Sequence, residues 1–194
     1  MRLRIKGFDI NIRFSAILLA SFIVISNYMT GYLLCFISVI IHELGHLAAM
    51  RAFGLCIEGI SVSAFDIRII GRRSLVPVVA DVVISLSGPV TNLLVFVIFL
   101  FINPDFAYIN LFIGLFNILP ASSLDGGQAL YLILLSLTDA NRASVVIDVI
   151  TVIISVPLFA AGIYVLLQTR YNFSLLFIGL YLFAGVFIRK DKYL

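Results

Sequence analysis

The sequence predicts an all-α polytopic membrane protein with six transmembrane helices, a broken fourth helix and a small cytoplasmic β-strand or hairpin element. The 194 residues are 62% hydrophobic and 12% charged, with a mean hydropathy of +1.18, so they cannot provide the polar surface of a soluble domain. Several apolar segments reach the roughly 20 helical residues that cross a hydrocarbon core about 30 Å thick. Two shorter segments outside them alternate apolar and polar residues, as half-buried strands do.

The apolar segments differ in how they begin and end. The first follows a basic stretch typical of a signal peptide, but no small-residue cleavage site follows, so we interpret it as a retained span. The fourth is too long for one crossing and is interrupted by "NILPASSLDGGQ". Pro120 removes a backbone donor there, and Gly126 with Gly127 permits non-helical backbone, which predicts two half-helices joined by an irregular segment. The six predicted spans cover residues 13–28, 31–53, 76–102, 106–138, 144–167 and 172–188.

The basic residues test this layout, because lysine and arginine accumulate in short cytoplasmic loops. With both termini placed in the cytoplasm, twelve of the thirteen Lys and Arg residues fall on that side, and only Arg170 falls outside. The sequence therefore predicts a multi-pass protein of the cell membrane with cytoplasmic N- and C-termini. The net charge of +3 then describes topology and affinity for the anionic lipid bilayer, and it does not indicate a nucleic-acid surface.

The alternating segments are "FDINIRF" (residues 8–14) and "IEGISVSAFDIRII" (residues 57–70). Their period of two predicts a small strand or hairpin at the cytoplasmic face. An amphipathic interfacial loop without strand pairing is the alternative, because short alternating runs are ambiguous.

The segment "SVIIHELGHLAAMRAFG" (residues 38–54) contains His42 and His46, which are the only two histidines of the chain. Residues four apart lie on one face of a helix, so both rings can point at one metal ion. Glu43 is placed to act as a general base, in the H-E-x-x-H arrangement of zinc proteases. The alternative is that these groups are buried in a helix bundle and hydrogen bonded to their neighbours. Because ionisable residues inside a span are costly, the pattern favours a metal site.

A catalytic zinc ion needs three protein ligands and an open position, and no third histidine is available. Asp125 is the only carboxylate that we expect at membrane depth, in the broken part of the fourth span. Helical geometry places His42 roughly 14 Å inward of Arg51 and Asp125 roughly 20 Å inward of Asp139. Both therefore fall in the cytoplasmic half of the membrane, while a Cys56 thiolate stays open as a weaker alternative.

Three motifs occur in order along spans two to four: "HELGH", "SGPVTN" (residues 87–92) and "FNILPASSLDGG" (residues 116–127). Together they resemble the site-2 protease family of intramembrane zinc metalloproteases. The likeness extends to the six-span bacterial branch that includes the sporulation protease for a membrane-tethered pro-sigma factor. The resemblance implies Zn²⁺ on His42, His46 and Asp125, with water activated by Glu43. It also implies three residues that shape the site or hold the substrate backbone: Asn92, Asn117 and Pro120.

For the whole chain the resemblance implies one intramembrane metalloprotease domain over residues 1–194, with its core at about residues 31–138 and no PDZ or CBS domain. The implied activity is a zinc metalloendopeptidase that cuts in or near the transmembrane segment of a membrane-tethered protein, in regulated intramembrane proteolysis. A membrane regulatory partner is also implied. One departure is Ser122, which stands where a second proline often follows Pro120 in the family.

A second class of function remains open, namely a metal-binding membrane protein without protease activity. A metal transporter should show internal repeats and ionisable residues that converge from several helices, and the sequence shows neither. A degenerate, substrate-holding relative would be expected to lose Glu43, which is present.

Overall fold

The computed structural model describes residues 2–5, 8–12, 29–62, 67–72, 77–170 and 172–190. The chain divides into two compact units, residues 1–115 and residues 116–194. The helices of the described part are α1 (Met29–Ala52), α2 (Val78–Phe99), α3 (Pro104–Ile118), α4 (Asp125–Leu137), α5 (Ala140–Thr169) and α6 (Ser174–Lys190). Its strands are β1 (Arg2–Ile5), β2 (Phe8–Ile12), β3 (Cys56–Val62) and β4 (Ile67–Arg72).

The helices match four of the predicted spans closely, since α1, α2, α5 and α6 cover the second, third, fifth and sixth. Among the described residues, three helices are long and apolar enough to cross a bilayer: Thr30–Ala52, Val78–Phe99 and Ala140–Thr169. The chain is thus a multi-pass membrane protein. The first predicted span, residues 13–28, lies outside the described residues. The count of six spans and the side of the termini stay predictions.

The predicted break in the fourth span is confirmed, because α3 and α4 are separated by residues 119–124. The expected reason for the glycines was wrong. Gly126 and Gly127 lie inside the first turn of α4, and neither has a positive φ. A Cβ at Gly126 would lie 2.8 Å from the carbonyl oxygen of Leu119, and one at Gly127 would collide with the carbonyl of Ala121. These glycines are therefore required by the close approach of the irregular segment to the helix, and not by backbone freedom.

The strands form one sheet in the order β1-β2-β3-β4. β2 pairs in parallel with β3, whereas β1 with β2 and β3 with β4 are antiparallel. A parallel pair needs a long crossover, and the intervening chain contains α1. Both alternating segments of the sequence thus form strands. β1 was not predicted, because "RLRI" is too short to carry a clear period.

In the second unit, α5 and α6 pack closely through glycines. A Cβ at Gly162 would lie 2.6 Å from the backbone nitrogen of Leu176, and one at Gly179 would lie 2.8 Å from the backbone nitrogen of Phe159. Small residues of this kind let helix backbones approach each other in membrane proteins. Leu182 of α6 is fully buried against Ala121 and Leu124 of the irregular segment.

The irregular segment is also tied to α5 by a hydrogen bond. The backbone N–H of Ser122 donates to Thr151 Oγ1 at 2.8 Å. A proline at residue 122 has no N–H, so it could not make this bond. Ser122 therefore anchors the irregular segment to α5 in a way that a proline could not.

The glycine contacts predict opposite outcomes for two alanine substitutions. Gly162→Ala should lower the free energy of unfolding by about 1–3 kcal/mol, because the new methyl group meets backbone atoms that cannot move alone. Gly31→Ala on α1 is the matched control, since no described residue lies within 4 Å of its Cβ position. It should be neutral or stabilise the protein by up to about 1 kcal/mol. Thermal unfolding in detergent measures both, and equal Tm values would contradict the close α5–α6 contact.

Candidate metal centre

His42 and His46 lie one helical turn apart on α1, and their Nε2 atoms are 3.2 Å apart. The rings meet edge to face, with centroids 4.9 Å apart and an angle of 80° between their planes. His42 is buried and His46 is half-buried. The i, i+4 spacing therefore brings the two ring nitrogens together, as the sequence predicts.

The other nitrogen of each ring determines which form of the ring is present. His46 Nδ1 lies 2.7 Å from the backbone oxygen of Ile84 on α2. A backbone carbonyl only accepts hydrogen bonds, so Nδ1 of His46 carries the proton. In a neutral imidazole the remaining nitrogen, Nε2, is then the one without a proton, which is the form that ligates a metal ion.

His42 also carries its proton on Nδ1, but a side chain instead of a backbone carbonyl accepts the hydrogen bond. Its Nδ1 lies 2.6 Å from Asn92 Oδ1, and the amide of Asn92 is oriented by its own bonds. Asn92 Nδ2 donates to the backbone oxygen of Ser38 at 3.1 Å and to Asn110 Oδ1 at 2.8 Å. The amide oxygen must therefore face His42, whose Nδ1 is the donor.

The bonds continue beyond Asn92 and end on backbone carbonyls. Asn110 Nδ2 donates to Ser38 Oγ at 2.9 Å and to the backbone oxygen of Phe106 at 2.9 Å. Ser38 Oγ donates in turn to the backbone oxygen of Leu34 at 2.8 Å. Because ionisable and polar groups in apolar helices are costly unless bonded, this complete network favours one arrangement of protons.

The two Nε2 atoms are consequently the ring nitrogens that can ligate a metal ion. They lie 3.2 Å apart, which is close enough to bind the same cation. In tetrahedral zinc sites, Zn–N distances of about 2.0–2.1 Å put two nitrogen ligands roughly 3.3–3.4 Å apart. The spacing and protonation of these two nitrogens therefore fit a bound zinc ion.

Asp125 is the carboxylate that the sequence predicts as the third ligand. It is the first residue of α4, where the helix dipole favours a negative charge. Asp125 belongs to the second unit and the two histidines belong to the first, so its place as the third ligand stays a prediction. Cys56 lies in β3, and its side chain is outside the described part of the chain.

Gly88 of α2 lies directly beside the two nitrogens. A Cβ at this position would lie 2.8 Å from His42 Nε2 and 2.7 Å from His46 Cε1. Gly45 of α1 meets α2 equally closely, since its Cβ would lie 2.8 Å from the backbone oxygen of Ser87. The geometry therefore places Gly88 in the space around the ligand nitrogens.

The remaining predicted residues are distributed around these elements. Glu43 follows His42 on α1 and is half-buried, Asn117 lies in the last turn of α3, and Pro120 lies in the irregular segment. Asn92 has no exposed surface, and its side chain contacts a histidine rather than open space. Substrate contact by Asn117 and Pro120 stays a prediction.

Sequence reasoning missed two residues of the network, Ser38 and Asn110. Both are polar residues within apolar helices, and both are fully buried. Ser38 also precedes His42 by four residues, on the same helix face. The presence of polar residues inside predicted spans was therefore the sequence signal that could have identified Ser38 and Asn110.

Gly88→Ala should weaken zinc binding at least tenfold, because the added methyl group occupies space beside both ligand nitrogens. Gly31→Ala, whose methyl group comes within 4 Å of nothing in the described part of the chain, should bind zinc as the wild type does. Competition with a chelator of known zinc affinity measures both proteins. Unchanged affinity in a correctly folded Gly88→Ala protein would contradict the placement of the metal between the two rings.

No protein-family profile matches the chain. A curated zinc metalloprotease of Methanocaldococcus jannaschii is 28% identical over 116 residues, which are 53% of this chain and 34% of that protein. The match thus spans about one third of the relative's length. The solved structure of a site-2 protease from the same organism aligns with a TM-score of 0.70 at 22% identity, over 96% of this chain and 93% of the other. The chain therefore has the fold of that site-2 protease.

Proposed function

We propose that this protein is a zinc-dependent intramembrane endopeptidase of the site-2 protease family. The observation that carries the proposal is the 3.2 Å distance between His42 Nε2 and His46 Nε2, on the helix that also carries Glu43. The shared fold and the similarity to a zinc metalloprotease support the same conclusion. Both rings have a hydrogen-bond acceptor at Nδ1, and Gly88 leaves room beside their Nε2 atoms. This arrangement favours a metal site over two buried histidines that only pack.

His42, His46 and Asp125 are the residues that would hold the zinc ion. A zinc ion bound there supplies Lewis-acid chemistry, which polarises the scissile carbonyl and makes water more acidic. Both imidazoles serve as neutral ligands, because their Nδ1 protons are held by Ile84 and Asn92. Three protein ligands leave a position open for the reacting groups.

Glu43 is the general base of the proposed reaction. Its carboxylate takes a proton from the water whose oxygen forms the new bond to the carbonyl carbon. It then gives that proton to the amine nitrogen as the carbon–nitrogen bond breaks. The products are a carboxylic acid and an amine, so peptide hydrolysis needs no other reactant.

The proposed substrate is the transmembrane segment of a membrane-tethered protein. Peptide bonds within an intact helix are occupied by their own hydrogen bonds, so the substrate must unwind locally before it is cut. Asn117 and Pro120 are the residues that we assign to its backbone. The three sequence motifs favour the six-span bacterial branch of the family, with cytoplasmic termini, a regulatory membrane partner and a role in regulated intramembrane proteolysis.

Glu43→Gln should abolish cleavage while zinc binding is retained, because the amide keeps the shape of the side chain but cannot accept the proton. The loss should be at least about 100-fold, as is typical for removal of a general base. The assay co-expresses the protein with a panel of membrane-tethered reporters and measures cleavage by immunoblot. Asp105→Asn is the control, since this exposed carboxylate lies in the first turn of α3 and should leave cleavage unchanged.

Two results would contradict the proposal. Cleavage that persists unchanged in a zinc-loaded Glu43→Gln protein would exclude Glu43 as the base. A wild-type protein that binds zinc but cuts no reporter, including the reporter for the pro-sigma factor class, would instead favour a non-proteolytic metal-binding protein.

A further inference from the structure

Three polar side chains without any exposed surface connect α1, α2 and α3 next to His42: Ser38, Asn92 and Asn110. Only Asn92 belongs to one of the sequence motifs. Asn110 lies on α3, and its hydrogen bonds among the described residues are to Asn92, Ser38 and Phe106. Its Oδ1 is one of the two acceptors of Asn92 Nδ2. Through this hydrogen bond, the buried amide of Asn110 can influence the orientation of the Asn92 amide.

Asn110 is itself held in one orientation. Its Nδ2 donates to the backbone oxygen of Phe106 at 2.9 Å, and this oxygen cannot donate. If the Asn110 amide were rotated, its Oδ1 would face the Phe106 backbone oxygen, so that two acceptors would meet. Its Nδ2 would then face Asn92 Nδ2, so that two donors would meet. The Phe106 backbone oxygen therefore fixes the direction of the Asn110–Asn92 hydrogen bond, which reinforces the Asn92 orientation that the Ser38 backbone oxygen also favours.

We propose that Asn110 is a positioning residue that acts through Asn92 to keep the proton of His42 on Nδ1. Its removal would leave the Ser38 backbone oxygen as the one remaining acceptor that orients the Asn92 amide, so that the rotated amide, with Nδ2 instead of Oδ1 facing His42, becomes populated. The ring would then place its proton on Nε2, the nitrogen that the metal requires. This inference rests on the proposed metal site, but it concerns a residue outside the metal group and its motifs.

The effect should be confined to one of the two histidines. His46 Nδ1 is held by the backbone oxygen of Ile84, which cannot rotate, whereas His42 Nδ1 is held by an amide that can. Only His42 therefore depends on the side-chain network. This asymmetry separates a positioning role from a general loss of structure.

Asn110→Leu removes both hydrogen-bonding groups at nearly constant volume and should weaken zinc binding by about 10- to 100-fold, the usual effect of losing a partner behind a metal ligand. Asn103→Leu is the matched control. It is the same substitution next to the start of α3, where Asn103 Oδ1 accepts from the backbone N–H of Phe106 at 3.1 Å. It should destabilise α3 but leave zinc affinity within twofold of the wild type.

A second variant tests the orientation directly. An ionised carboxylate at residue 92 has two acceptor oxygens, so neither of its orientations presents a donor to His42. The double variant Asn92→Asp/Asn110→Leu should therefore recover zinc affinity to within a few-fold of the wild type. A network that served only packing would give a double variant at least as weak as Asn110→Leu.

The readouts are zinc dissociation constants from chelator competition and ¹⁵N spectra of the histidine rings in the metal-free protein, where the shifts of Nδ1 and Nε2 report which nitrogen is protonated. In Asn110→Leu the His42 shifts should report a proton on Nε2 instead of Nδ1, while the His46 shifts stay unchanged. Wild-type zinc affinity in folded Asn110→Leu, no recovery in the double variant, or equal changes at both histidines would each overturn the proposal. These measurements use no substrate, so they stand apart from the cleavage test of the proposed function.

Discussion

The structure around the histidines depends on one constraint: the Nδ1 atoms of His42 and His46 are both hydrogen bonded from behind, which makes the two Nε2 atoms, 3.2 Å apart, the nitrogens that can ligate a metal ion. A backbone carbonyl accepts one of these hydrogen bonds, and a buried amide accepts the other. Apolar helices make such anchors decisive, because a misplaced proton would leave a buried polar group without a partner.

The helix backbones must come close for these anchors to reach. Gly45 and Gly88 provide that approach between α1 and α2, and the second also leaves room beside the ligand nitrogens. Small residues and interhelical hydrogen bonds are the usual basis of helix association in membranes, where apolar burial gives little preference for one neighbour over another. The first unit therefore uses one set of contacts both to associate its helices and to orient His42.

The sequence predicted correctly those features that depend only on residues close together along the chain. The positions of α1, α2, α5 and α6, the break before Asp125 and the shared face of His42 and His46 follow from apolar length, proline chemistry and the 3.6-residue period. The roles of Asn92 and Asn110 could not be derived in this way, because they depend on how neighbouring helices are rotated about their axes. Gly126 and Gly127 were noticed, but whether they serve backbone freedom or close contact is visible only when the approaching carbonyls are known.

X-ray absorption at the zinc edge of the zinc-loaded protein tests the central claim most directly. The account predicts two imidazole ligands with nitrogen at about 2.0–2.1 Å, together with oxygen ligands and no sulfur. A sulfur ligand at about 2.3 Å, or a zinc spectrum without the scattering of two imidazole rings, would contradict the claim that His42 and His46 share one zinc ion.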